Sequence, residues 1–129
     1  MKPKLFCALL AVATLLSAHH STSAEFDMTK KMTLSGKLTK VDWINPHIAV
    51  EVEAKGADGK VESWRMESSP PAWFKRVGVN RSDFTRALGQ NVTIEGVRAK
   101  NGTLYGYMQK VTFADGVVLE LVSGNPTEK

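Results

Sequence analysis

Val41-Asp42-Trp43-Ile44-Asn45-Pro46-His47-Ile48-Ala49-Val50-Glu51-Val52 joins two apolar, alternating segments through an Asn-Pro corner. Proline withdraws a backbone donor at position 46 and holds Asn45 in extended geometry, so the chain turns here. Beyond the corner, Ile48, Val50 and Val52 share one face of a strand, and His47, Ala49, Glu51 and Glu53 share the other. Before it, Met32, Leu34 and Leu38 alternate with polar residues. Gly36 interrupts that apolar face, and after Lys40 the phase passes to Val41 and Trp43. A phase change inside one long strand predicts a bulge or a strong bend. Long, bent first strands are a feature of small closed barrels.

Downstream, Gly56-Ala57-Asp58-Gly59 predicts a hairpin loop into a third strand, Val61 to Glu67, with Trp64 and Met66 turned to the core. The period then changes. Ser68 to Gly78 has a serine at the start, prolines early and a glycine at the end, the signals of a short helix with Trp73, Phe74 and Val77 facing inward. Asn80 to Gly89 predicts a second helical turn, capped by Asn80 and closed by Gly89. Three strands follow. Val92, Ile94 and Val97 mark the first, Tyr105, Tyr107, Val111 and Phe113 the second, and Val117 to Val122 the third. Asn101-Gly102 and Asp115-Gly116 supply the turns between them.

Three strands, a short helical connection and two or three further strands define a mainly β domain. The order fits a small OB-like Greek-key barrel of five or six strands, with the helical connection after the third strand. A flattened β-roll with a helix on one end satisfies the same order.

The first 18 residues read as a secretory signal peptide. Lys2 and Lys4 precede an uncharged apolar run, Leu5 to Leu16, and Ser17-Ala18 ends it with small residues. The run is too short to span a bilayer comfortably, and no other stretch could be a membrane helix. Cleavage after Ala18 makes His19 the mature N-terminus. Cleavage after Ala24 is the alternative, and it would leave a long polar segment behind the apolar run. Residues 19–30 then form an extended arm, with Phe26 and Met28 pinning it to the surface. Residues 31–122 form the barrel, and residues 123–129 a flexible tail. Cys7, the only cysteine of the 129 residues, leaves with the signal, so the core has to hold without a disulfide. Loss of Lys2 and Lys4 lowers the formal charge from +4 to +2. So mild a positive balance, interspersed with acids, argues against a nucleic-acid partner.

Two sets of residues could carry binding. The histidines are His19, His20 and His47. An N-terminal histidine offers an amine and an imidazole nitrogen together, and a second imidazole completes a nitrogen set suited to copper rather than zinc, thiolates being absent. His47 is that second ligand if the arm folds back, with His20 auxiliary and Glu51 or Glu53 in support. The bland reading makes His-His-Ser a soluble start and His47 a strand-start hydrogen bonder. The second set is aromatic. Trp43, Tyr105 and Tyr107, with Arg98, Lys100 and Lys110 near the tyrosines in sequence, could stack a polymer or hold a partner on one barrel face. Aromatic strand residues usually pack, which is the simpler reading. Trp73, Phe74 and Arg76 form a third group on the short helix, either a partner contact or a plug for the barrel mouth. Enzyme signatures are missing: no nucleophile elbow, no phosphate-cradling glycine loop, no His-Glu helix pair. The sequence therefore reads as a non-catalytic binding module of open oligomeric state.

Trp43-Ile44-Asn45-Pro46-His47, Trp64, Glu67-Ser68-Ser69-Pro70, Arg76-Val77-Gly78 and Val92-Thr93-Ile94-Glu95-Gly96, with His19-His20-Ser21 upstream, together carry a resemblance. The chain resembles a family of small exported bacterial proteins catalogued as domain of unknown function 6152. The resemblance implies export to the periplasm and a small β-rich domain, and no established activity. Pro70-Pro71-Ala72-Trp73 is bulkier than that family's pattern at the helix.

Overall fold

A computed structural model describes residues 22–121. The expected signal peptide, with His19 and His20 behind it, and the expected tail lie outside the described residues. A four-residue helix, α1 (Thr22–Glu25), leads into β1 (Phe26–Asp42), β2 (Ala49–Lys55) and β3 (Val61–Glu67). Two short helices, α2 (Pro71–Arg76) and α3 (Arg81–Thr85), precede β4 (Asn91–Ala99), β5 (Tyr105–Phe113) and β6 (Val118–Glu120). The strands make one sheet in the order β3-β2-β1-β4-β5-β6, and a β3–β5 pairing closes five of them into a ring of hydrogen bonds. All pairings are antiparallel except β3–β5. This barrel-like ring has the strand order of the OB type, with the helical connection after the third strand as the sequence predicts.

β1 makes closure possible. Its first part pairs with β4 and its last part with β2, and the register slips between Leu38 and Lys40 at the expected bend. Gly36 lies just before the slip. A Cβ there would meet the backbone carbonyl of Glu53, so the crossing of β1 and β2 leaves no room for a side chain. β1 also begins earlier than expected. Residues 26–30 belong to the strand rather than to a free arm, because Phe26 is 2% exposed and packs on Val97, Ala99 and the two β5 tyrosines. Met28 is exposed.

A second slip, between Glu95 and Gly96, divides β4. Val92 and Ile94 join the main core with Leu34, Leu38, Val52, Met66 and Met108. Past the slip the phase changes, and Val97 and Ala99 form a second, smaller cluster under Phe26. The same change turns Arg98 over the Trp64 ring, 5.0 Å from its centroid.

The helical connection plugs one end of the main core. Phe74 and Phe84 are buried, and their rings stand edge-on at 6.4 Å. Pro70, not Ser68, occupies the N-cap of α2, with Pro71 in its first turn. Val77 does not face inward as the periodicity predicts. It follows the last helical residue at the C-cap and is 50% exposed, while Val79, past the Gly78 turn, takes the buried place. Asn80 and Asp83 form a capping box on α3, as the Asn80 cap predicts. No helix among the described residues is long and apolar enough to cross a membrane.

Candidate functional site

The Asn45–Pro46 peptide is cis, and the chain leaves it directly into His47. Ile48 then prolongs the β2–β3 ladder past the strand ends. Its N–H donates to the Ser69 carbonyl at 3.1 Å, and its carbonyl accepts from the Ser68 N–H at 2.8 Å. This pairing brings His47 against the end of β3. Nδ1 of His47 lies 3.0 Å from the Ser68 carbonyl oxygen and 3.6 Å from Oε1 of Glu67. A carbonyl oxygen only accepts, so Nδ1 carries the proton. The neutral ring therefore keeps its lone pair on Nε2. The side chain is 39% exposed, so that lone pair belongs to a ring that solvent reaches.

The parallel β3–β5 pairing supplies the rest. Its register sets Arg65 beside Tyr105 and Glu67 beside Tyr107. Each tyrosine reaches two residues further along the opposite strand. The Tyr105 hydroxyl donates to Oε2 of Glu67, and the Tyr107 hydroxyl meets Oγ of Ser69 at 3.2 Å. Phe26 covers both rings, with centroids at 5.1 and 5.4 Å. Burial is the main reason that the Glu67 carboxyl sits above its usual range. His47 and Arg65 oppose the shift, and the Glu25 carboxylate adds to it. Glu25 is therefore close enough to be felt at Glu67, and its carbonyl is tied to the Lys100 N–H at 2.9 Å. The N-terminal chain thus enters the domain beside the His47–Glu67 pair.

The residues singled out in the sequence separate. His47 meets Glu67, not Glu51 or Glu53. Glu51 instead stands 3.7 Å from Arg65 and 3.8 Å from Lys40, in a charged group with Asp42. Trp43 does not share a face with the tyrosines. It packs on Phe74 and Phe84 at 5.4 and 5.8 Å, at the helical end of the core. The tyrosines are half-buried beneath Phe26, so Trp43, Tyr105 and Tyr107 form no single stacking platform. Glu67 is the residue that sequence reasoning missed. Its one signal was its position ahead of Ser68-Ser69, with no hint that the Asn-Pro corner would bring His47 there. Among the described residues, no three His, Cys, Asp or Glu side chains converge as a metal-binding group. His47 and Glu67 are two of the parts such a site needs.

The chain belongs to the family of unknown function DUF6152, whose model matches residues 8–114. No curated protein and no solved structure matches it.

Proposed function

We propose that the chain is an exported, periplasmic, non-catalytic binding protein whose ligand is a copper ion. The ion is held by Nε2 of His47 together with His19 at the mature N-terminus, and His20 assists. One observation carries the reading: Nδ1 of His47 is committed to the Ser68 carbonyl, leaving Nε2 as the metal-binding atom. The Glu67 carboxylate beside Nδ1 completes the arrangement of a ligating histidine oriented from behind. The entry of the chain supports it. His19 is three residues ahead of Thr22, so it can lie no further than about 10 Å from the start of α1. Amine and imidazole nitrogens without thiolate favour copper over zinc.

The test is native mass spectrometry on protein exported by a bacterial host, supplied with copper and with zinc, beside a His47→Ala variant. The expected spectrum has a chain beginning at His19 with one copper ion, absent from the variant. A chain beginning at Glu25, or a metal-free chain beginning at His19, overturns the proposal. The alternative, a polymer or protein adaptor using an aromatic barrel face, has less support, since Phe26 covers the tyrosines and Trp43 lies elsewhere.

A further inference from the structure

The positive charge of this chain is not spread evenly. Residues 71–90 carry Lys75, Arg76, Arg81 and Arg86 against Asp83 alone, a net +3 out of the +4 of the whole sequence. All four cations are exposed. Arg86 stands 3.6 Å from Asp83, whereas Lys75, Arg76 and Arg81 have no carboxylate partner among the described residues. They belong to the helical plug at one end of the barrel. Elsewhere the exposed cations more often meet acids, as Lys40 meets Asp42 and Glu51, and Lys110 meets Glu95.

The same end is apolar between its charges. Lys75 and Arg81 border a shallow, open cleft whose floor includes Trp43, Pro71 and Val79. Trp73 is half-buried and stands edge-on to Phe74 at 5.0 Å. Val77 is 50% exposed beside Arg76, and Ile44, next to Trp43 in the chain, is 58% exposed. Isolated exposed aliphatic residues need no explanation. Here they accompany two indoles and three unpaired cations on two helices too short to build a deep groove. Cations attract an anionic surface, indoles favour the headgroup region, and short aliphatic side chains reach just below it. A soluble acidic partner would account for the cations but would not use the exposed Val77 and Ile44 in the same way.

We infer that the α2–α3 end of the barrel is a peripheral docking surface for an anionic phospholipid bilayer, with Lys75, Arg76 and Arg81 facing the headgroups and Val77 and the Trp73 indole at the interface. The surface is separate from the His47–Glu67 pair and does not depend on metal binding. It turns the barrel so that its helical plug meets the lipid.

Co-sedimentation of the exported protein with vesicles tests it, using phosphatidylcholine alone and phosphatidylcholine mixed with phosphatidylglycerol. Binding is expected only with the mixed vesicles, and it should weaken as salt is added. The triple variant Lys75→Glu/Arg76→Glu/Arg81→Glu should lose roughly 100-fold in apparent affinity. Val77→Asp alone should also weaken binding. Lys60→Glu, in the β2–β3 hairpin, should bind as the wild type does. All the substituted side chains are exposed, and unchanged melting curves will separate lost docking from lost fold. Three results overturn the inference: no binding to mixed vesicles, wild-type binding by the triple variant, or binding to heparin without binding to vesicles. The last would assign the cations to a soluble polyanion.

Discussion

Nδ1 of His47 stands 3.6 Å from Oε1 of Glu67, while the Tyr105 hydroxyl holds the other oxygen of the same carboxylate. Three segments far apart in sequence, the Asn-Pro corner, the end of β3 and the start of β5, thus meet at one carboxylate. Glu67 orients the ring in the proposed metal site without being a ligand. Glu67→Gln is therefore expected to weaken copper binding by about 10–100-fold and to alter the copper electron paramagnetic resonance spectrum. Unchanged affinity and an unchanged spectrum would remove Glu67 from the site.

The same carboxylate makes stability depend on pH. Burial, opposed by His47 and assisted by Glu25, holds the Glu67 carboxyl above its ordinary value of 4.5. Between that value and the raised one, the folded chain keeps a proton that the unfolded chain has released. Stability therefore declines as pH rises through this window, and the penalty is complete above it. In metal-free protein, Glu67→Gln should melt higher than the wild type at neutral pH, with the gap closing below 4.5. A gap that does not change with pH would mean that the burial of charge is not its cause.

Asp42 and Arg65 behave in the opposite sense. The hydrogen bond from Arg65, at 2.8 Å, holds the Asp42 carboxyl below its ordinary value of 3.8. The stability that this pair contributes is present above 3.8 and is lost as pH falls through the depressed value. Arg65 is 41% exposed and water screens the pair, so Asp42→Asn should cost only about 0.5 kcal/mol at neutral pH. Denaturant titrations at neutral and strongly acid pH check this, and the two proteins should converge in acid.

Phe26 ties the N-terminal end of β1 to the barrel. Phe26→Ala would remove a buried ring from between Val97, Ala99 and the tyrosines and leave a cavity. The expected cost is about 3 kcal/mol in urea unfolding. In the proposed site it should also loosen the N-terminal approach to His47 and lower copper affinity. A cost within experimental error would mean that the second cluster closes without it.

Gly96 marks the slip in β4. A Cβ there would meet the carbonyl oxygen of Tyr107, a backbone atom that cannot give way cheaply. Gly96→Ala is expected to destabilise the fold by about 3 kcal/mol, measured by thermal unfolding. A stability near that of the wild type would show that β4 and β5 can separate locally.

Much of the fold was legible in the residues themselves. Alternation marked the strands, the phase change near Gly36 and Lys40 marked the bend in β1, and the proline, asparagine and glycine positions marked the helical connection. Those signals are local, set by side-chain periodicity and backbone chemistry over a few residues. The order of the elements then limited the topology to a ring of OB type. Whether the β3 and β5 strands pair is a long-range matter, and only the tertiary structure decided it. That pairing brings Tyr105 to Glu67, and the ladder through Ile48 brings His47 to both. The phase change at Gly96, which turns Val97 to a second cluster beneath Phe26, was likewise invisible, because Val97 keeps an apolar character that suits either face. The sequence by itself determined the strands, the corner and the helical plug. Tertiary packing decided which side chains meet across them, since a contact between residues distant in the chain depends on register and burial rather than on any local pattern.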